Sequence, residues 1–345
     1  MSEAAKNRLK ERGFDAALPG FPREIGGVAV ENPIWLAPLA GITFASFRRF
    51  HRMMGAGLVH TEMVSALGLI HNGRKTKELL CRTNDEGPCA LQLFGAKADD
   101  VARGAAFALA NYSFEALEIN MACPMPKVTK KGSGSKLMEY PNEAAAMMRA
   151  LKGFGLPVWA KIRVMPGADV EETAAFSERL FEAGADFIFV HGRTPSQRYE
   201  GVADREAVGR IAARFPGRIG GSGDCYTPRD FEDYLERGCA SVLAGRGILR
   251  DAFLIAETLR QLGAEVPQEF DAPTAAAQAE MLIELGEAIC AAEGEPLAMT
   301  IARRMLGALF KGFPGAAQLR REGAMTKSWG ELAPLLRNWR PTEPE

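Results

Sequence analysis

The sequence predicts an α/β protein, a (β/α)8 TIM barrel followed by a small C-terminal all-helical domain. Three observations predict it. Eight short apolar runs recur along the first three-quarters of the chain, mostly separated by helical patterns. Hydrophobicity inside each run is continuous rather than alternating, which marks strands buried on both faces, as in a parallel sheet. Past residue 262 the runs stop and helical periodicity alone continues. Strands and helices together fill the roughly 250 residues typical of such a barrel. An open doubly wound sheet is the competing architecture, but no G-x-G-x-x-G follows the first run.

In order, the runs are "PIWLAPLAG" (33–41), "GLVHTEMV" (57–64), "CALQLFG" (89–95), "ALEINMACP" (116–124), "PVWAKIRV" (157–164), "DFIFVHGR" (186–193), "RIGGSGD" (218–224) and "SVLAGRG" (241–247). The helix signals between them are clearest in "YTPRDFEDYLERG" (226–238). There Thr227 can cap, Pro228 fits the first helical position, Asp230 sits in the first turn and Gly238 supplies a left-handed stop. "DVEETAAFSERLFEAG" (169–184) begins with Asp169 and ends with Gly184 in the same way. The barrel is assigned to residues 1–262 and the helical domain to 268–345, with "GAEVPQEFDAP" (263–273) as linker. Three or four helices follow it, through "TAAAQAEMLIELGEAICAAEG", "EPLAMTIARRMLGALFKG" and the segment after "FPGAAQLRREG".

The bulk numbers narrow the function. The 345 residues suit one large domain with an appendage, and 47% hydrophobic with 25% charged residues is the mix of a soluble globular protein. A formal net charge of -1 means that any electrostatic footprint is local. The six cysteines (Cys81, Cys89, Cys123, Cys225, Cys239, Cys290) form no C-x-x-C pair and suit reduced thiols in a cytoplasm. The four histidines show no metal-ligand spacing, so no metal is expected. The opening "MSEAAKNRLKERGFD" has no apolar core of a signal peptide, and no run approaches the roughly 18 apolar residues of a membrane span. A cytoplasmic, monomeric protein is expected.

In barrels of this kind, chemistry sits at the C-terminal ends of the strands. Reading only those positions gives Pro38, Glu62, Gln92, Asn120, Cys123, Lys161, His191, Arg193, Asp224 and Arg246. Polar groups there must find partners or cost about 1–3 kcal/mol each. A near-complete ring of them points to a shared polar ligand. The last two strands end in "GGSGD" and "AGRG", where glycines at 220, 221, 223, 245 and 247 let backbone N–H groups approach closely and Arg246 offers a charged fork. One such turn would merely redirect the chain; two on adjacent strands, where barrels often hold phosphate, point to a phosphorylated ligand. Gln92 and Lys161 add amide and ammonium donors that can meet the carbonyls of a planar ring, and donors near a flavin N1/C2 carbonyl stabilise its anionic reduced state. These residues alone do not separate flavin from other phosphorylated ligands.

At this point the chain resembles the tRNA-dihydrouridine synthases, from Pro33 to about Arg321. The resemblance is carried by "APLAGIT", "TEMVSA", "LQLFG", "EINMACPMPKVTKKGSGSKLM", "VWAKIRV", "HGRTPSQRYEG", "GSGD", "AGRG" and "KGFPGAAQLR". It implies an FMN barrel that reduces uridine in RNA, tRNA above all, to 5,6-dihydrouridine with NADPH as electron source. On the matching positions it implies that Pro38 and Leu39 line the flavin, Gln92 and Lys161 hold its ring, and His191, Ser222, Gly223, Asp224, Gly245 and Arg246 surround its ribityl chain and phosphate. Asn120 and Arg193 would face the uracil, and Lys127 and Lys130 would meet RNA phosphates. Cys123 would be the general acid that protonates C5 after hydride reaches C6; an ordinary thiol, with a pKa of about 8.5, is mostly protonated at neutral pH. The alternative role for Cys123 is a small buried hydrophobe.

Two positions depart from the family pattern. Ala122 stands where glycine usually precedes Cys-Pro, and is strained if that backbone needs φ > 0. Ser222 stands where Asn is common. From Pro296 to the end, eight basic residues face four acidic ones, a surplus that suits an RNA-contacting surface or a merely solvated helical face. Competing readings are a dihydroorotate dehydrogenase-like FMN barrel acting on a free pyrimidine, a dihydrouridine synthase acting on ribosomal RNA, and a barrel that binds RNA without turnover.

Overall fold

The eight apolar runs become the staves of one closed parallel barrel in the computed structural model, which describes residues 16–83, 85–267, 270 and 274–341. The opening fifteen residues, Glu343 and Glu345, and most of residues 268–273 therefore lie outside the described part, and with them the N-terminal leader reading and part of the linker. Numbered along the chain, the strands are β1 (Glu24–Ile25), β2 (Val28–Ala29), β3 (Ile34–Leu36), β4 (Val59–His60), β5 (Val64–Ser65), β6 (Cys89–Phe94), β7 (Ala116–Asn120), β8 (Val158–Arg163), β9 (Phe187–His191), β10 (Ile219–Ser222) and β11 (Ser241–Ala244). Hydrogen bonding runs β4-β3-β11-β10-β9-β8-β7-β6-β5, and a β4–β6 pairing closes the ring. All its neighbours are parallel.

The second stave is broken in two, which the run "GLVHTEMV" did not foretell. His60 pairs with Ala90 and Val64 with Leu93, so three residues (61–63) stand opposite two (91–92). This extra residue is a bulge, which bends the strand and re-aims its side chains. The ladder is repaired locally: the Thr61 hydroxyl accepts from Gln92 N at 3.0 Å. Glu62 is turned towards the neighbouring loop, where its carboxylate accepts from Gly41 N.

Inside the barrel, Trp35, Trp159, Phe187 and Phe189 form a buried aromatic layer, with Trp35 and Trp159 stacked at 5.5 Å between centroids. Burying each such side chain is worth about 1.5–3 kcal/mol. The short antiparallel hairpin β1–β2, unanticipated from sequence, lies against this layer, and Trp159 Nε1 donates to Gly26 O at 2.8 Å. His60, Gln92 and Glu118 are fully buried polar residues of the adjoining strands β4, β6 and β7.

The helix signals fall where expected. Asp169 caps the helix Val170–Glu182 by accepting from Glu172 N at 2.8 Å, and Gly184 and Gly238 take left-handed backbone after their helices. At Pro228–Glu236 the Asp230 carboxylate accepts from Thr227 N and Tyr226 N and from the Thr227 hydroxyl. Beyond the barrel, among the described residues, come four α-helices, Ala275–Ala292, Glu295–Leu309, Ala316–Met325 and Trp329–Asn338. The first packs on the barrel helix Ala45–Met53, and one apolar core runs without a break from Phe47 and Phe50 into Leu285 and Ile289. At this junction Glu293 accepts from Ser46 N at 3.0 Å and Ser46 Oγ at 2.7 Å, placing a carboxylate on the N-terminal turn of that barrel helix. Among the described residues no helix is long and apolar enough to cross a membrane.

His51 lies on the same barrel helix, wedged against Phe47 and Phe50, with neither ring nitrogen hydrogen-bonded. Burial drives its pKa down to about 3. The unfolded chain therefore takes up a proton below about pH 6.5 that the folded chain refuses, so stability is full above that pH and falls as pH drops towards 3. Between pH 6.5 and 5 this single group should remove about 2 kcal/mol. His51→Leu is expected to abolish that part of the slope: urea midpoints of variant and wild type should diverge in the variant's favour on going from pH 7.5 to 5. A constant gap between the two would contradict the assignment.

Candidate active site

A cavity of about 370 Å³ opens at the C-terminal ends of the strands. One of its walls is the loop after β7. Asn120 ends that strand, and its Oδ1 accepts from Ala122 N at 3.2 Å and Cys123 N at 2.9 Å. Cys123 O in turn accepts from Ser135 N at 2.9 Å, and Arg163 Nε donates to Ala122 O at 2.6 Å. Prolines 124 and 126 fix two more φ angles on the way to the short helix Pro126–Thr129. The thiol of Cys123 is thus held half-buried on the cavity wall, unlike Cys89, Cys225 and Cys239, which are buried. Ala122 is not among the residues with positive φ, so its departure from the family glycine carries no backbone strain.

Strand β8 contributes two cations to this end. Lys161 lines the cavity and its Nζ lies 3.3 Å from Ser222 Oγ, so Ser222 serves as its acceptor. Burial lowers the Lys161 pKa to about 8, against the opposing pull of Glu118. Arg163, two residues on and on the same face of the strand, straps two loops together: besides Ala122 O it donates to Thr194 O at 3.0 Å and Arg198 O at 2.8 Å. Burial lowers its pKa to about 10. The sequence reading passed over Arg163, although the period-2 spacing from Lys161 was signal enough.

The opposite wall is built from the ends of β9, β10 and β11. His191, Gly223, Asp224, Gly245 and Arg246 all line it. Arg193 N donates to His191 Nδ1 at 3.2 Å, so a neutral ring carries its proton on Nε2. Neutral it is, because burial, followed by Lys161 and three guanidiniums, holds its pKa well below the ordinary value. Asp224 sits in left-handed backbone (φ 52) and accepts from Arg193 twice, at 2.9 and 2.6 Å, from Arg246 at 3.2 Å and from Ala203 N at 2.8 Å. Burial works to raise this carboxyl, but those hydrogen bonds and charges outweigh it and hold it below the usual range. Pro38 and Leu39 complete the enclosure from the loop after β3. Gly41 in that loop is held from both sides, its N–H by Glu62 and its carbonyl by Arg304 Nη1 at 3.1 Å from the helix Glu295–Leu309.

Three of the expected site residues do not reach the cavity wall. Gln92 lies beneath it, donating to Glu118 and accepting from Asn120 Nδ2 at 3.0 Å. Arg193, 2% exposed, spends its donors on Asp224, Glu200 O and Gly201 O. Lys130 is exposed outside the rim, whereas Lys127 lines it. The five glycines also divide: 223, 245 and 247 line the cavity while 220 and 221 do not, and only Gly245 is open, since a Cβ would strike Phe189 at 2.5 Å from Gly220, Tyr234 at 2.4 Å from Gly221, Ala203 at 2.8 Å from Gly223 and Cys225 O at 2.2 Å from Gly247. Tyr199 and Tyr226, absent from the sequence-derived site, stand at the rim. Tyr199 is 51% exposed, with Arg163 and Arg246 at 5.7 and 5.0 Å from its ring centroid. The whole is a cationic cleft with one neutralised carboxylate, a half-buried thiol and an aromatic lip, suited to an anionic ligand with a planar ring.

A family model described as Dihydrouridine synthase (Dus) matches residues 35–339. A probable tRNA-dihydrouridine synthase of Mycobacterium tuberculosis (strain ATCC 25618 / H37Rv) is 32% identical over 338 residues, covering 93% of this chain and 85% of its own. The probable tRNA-dihydrouridine synthase 1 of a Synechocystis species is 31% identical over 319 residues, covering 92% and 88%. Among solved structures, DHODH from Eimeria tenella in complex with ferulenol superposes with a TM-score of 0.51 at 15% identity, covering 75% of this chain and 87% of that one, a likeness of fold alone.

Gly134 supports the thiol's position from behind. It has φ +62, and a Cβ there would lie 2.5 Å from Cys123 O, whereas Gly155, at φ +75, has nothing within 4 Å. Alanine at either place carries left-handed strain of about 1–2 kcal/mol. Only Gly134→Ala should also shift the rate at which iodoacetamide alkylates Cys123, followed peptide by peptide by mass spectrometry. Equal alkylation in both variants would mean that the loop does not lean on Gly134.

Proposed function

The chain belongs to the dihydrouridine synthase family, and from that premise we propose that it reduces uridine in RNA, tRNA in particular, to 5,6-dihydrouridine, using FMN in the barrel mouth and NADPH as reductant. The observation that carries the reading is the Cys123 thiol, held on the cavity wall by the Asn120 side chain, Ser135 N and Arg163 rather than sunk into the core. The cavity fits a flavin nucleotide in kind, with Lys161 on one side, and Arg246 with the glycine-bearing ends of β10 and β11 on the other. Pro38 and Leu39 would flank the ring, Lys161 would face its polar edge, and His191, Gly223, Gly245 and Arg246 would take the ribityl chain and phosphate. Asp224 acts here by aiming and neutralising arginines rather than by touching phosphate. Once bound, the flavin supplies the hydride for C6 of the uracil.

The protein's own residues then do the rest. Cys123 donates its proton to C5, and the thiolate left behind regains one from water through the open mouth. Asn120 lies beside it on the wall, within the same hydrogen-bond set. Arg193 is assigned to holding Asp224, with Arg163 and Arg246 as guanidiniums that line the cavity. The half-exposed ring of Tyr199 offers a stacking face to a base taken out of its helix, an extrusion that costs a few kcal/mol. Lys127 at the rim and exposed cations of the C-terminal region, Arg321 on the helix Ala316–Met325 and Lys311 and Lys327 in the connections on either side of it, offset this by meeting phosphates. Such a substrate carries with it the expectation of a cytoplasmic place of work.

Cys123→Ala is expected to retain FMN and to be reduced by NADPH at near wild-type rate, while turnover on RNA falls by about 10²–10⁴. Rapid-mixing absorbance separates the two phases, and an equal loss in both would demote the thiol to a structural part. Lys311→Ala with Arg321→Ala should leave flavin content unchanged yet weaken RNA binding and flatten its salt dependence by up to about two ion equivalents. An unaltered salt slope would remove this region from the RNA surface.

A further inference from the structure

Glu118 is a carboxylate with no access to water in the middle of β7, and nothing in the reaction proposed above uses it. Its Oε1 accepts from Gln92 Nε2 on the neighbouring strand. Its Oε2 faces His60 Nε2 at 3.5 Å from the other side, and among the described residues these two atoms have no hydrogen-bond partner. His60 Nδ1 lies 2.8 Å from Leu36 O. A carbonyl oxygen only accepts, so Nδ1 carries a proton. If Glu118 were ionised and His60 carried that proton alone, two lone pairs would face each other at 3.5 Å, out of reach of bulk solvent. One further proton therefore belongs to the pair, on His60 Nε2 or on Glu118 Oε2. In either arrangement the pair is neutral overall, and Oε1 is left free to accept only.

That constraint propagates. Because Oε1 only accepts, the Gln92 amide must present its NH2 to Glu118 and its oxygen upward. The oxygen accepts from Asn120 Nδ2 at 3.0 Å. Asn120 is thereby forced to present Oδ1 to the loop, where it receives Ala122 N and Cys123 N. Reversing the first amide would set NH2 against NH2 at the second, and reversing both would leave the loop's N–H groups facing donors. We infer that Glu118, seated on His60, is a positioning residue that fixes the sense of the Gln92 and Asn120 amides and so holds the Cys123 loop in place. The inference rests on the proposed function only for what Cys123 does once it is held there.

A second role competes. An ionised Glu118 would also favour the charged form of Lys161 against burial. Glu118→Gln separates the two. Its carboxamide oxygen can still accept from Gln92, and its NH2 can donate to a neutral His60 Nε2, so the sense of the chain survives while the charge is gone. Glu118→Met removes the acceptor.

The test uses the full chain free of flavin and RNA, so it stands or falls apart from the proposed reaction. Iodoacetamide alkylation of Cys123 is followed by peptide mass spectrometry, with exposed Cys81 as the internal reference. Glu118→Gln is expected within twofold of wild type. Glu118→Met is expected to change the Cys123 rate at least fivefold with Cys81 unmoved. Gln92→Met should do the same, and the double variant should go no further than either single one. An unchanged rate in Glu118→Met, an equal shift in Glu118→Gln, or multiplying effects in the double variant would each overturn the inference. Should Glu118→Met not fold, amide exchange in wild-type protein carrying 15N-glutamine decides: slow exchange at the Gln92 side chain is expected, and rapid exchange overturns it.

Discussion

Asn120 is the last residue of β7, and its amide joins two hydrogen-bond systems. Below, Nδ2 belongs to the barrel interior through Gln92. Above, Oδ1 belongs to the loop that carries the thiol. A strand that ends in a side chain of this kind passes the rigidity of a closed sheet to a segment with no sheet bonds of its own. Arg163 and Ser135 secure the same loop from two further directions. A net hydrogen bond is worth only about 1 kcal/mol. Four of them converging on two successive residues restrict geometry more than they add stability, and geometry is what a proton donor requires.

The other wall is organised by charge. Lys161, Arg163, Arg193 and Arg246 crowd one end of the barrel, and left alone they would repel one another. Asp224 pairs two of them directly, and His191 stays neutral, so it adds a donor without adding to the repulsion. The remaining positive charge is available to an incoming anion. Ser222 takes part in the same economy by giving buried Lys161 a partner, so the serine found where the family often has Asn is compatible with a poised ammonium.

Much of this was legible in the sequence. Strands buried on both faces must be apolar throughout, so the eight runs announced themselves, and a barrel offers few places other than strand ends for polar residues. The break at residues 61–63 was hidden because a bulge changes register without changing hydrophobicity. Gly220 and Gly221 read as ligand turns, yet their missing side chains make room for Phe189 and Tyr234, a demand set by residues far off in the chain. Arg193 was expected to face the uracil from its strand end; only the fold reveals that Asp224, which follows it by 31 residues, claims it. Glu118 was visible as a lone charge inside "ALEINMACP", but its meaning depends on His60 and Gln92, which two other strands supply.

The contact between Glu293 and Ser46 joins residues 247 positions apart. A ribosome adding about 5–20 residues each second would need roughly 12–50 seconds to travel between them. Through that interval the early helix Ala45–Met53 can rest on β4 but lacks both its carboxylate cap and the helix Ala275–Ala292 that packs on it. A helix made late thus covers one made early, and that part of the core stays open until the chain has grown past Glu293.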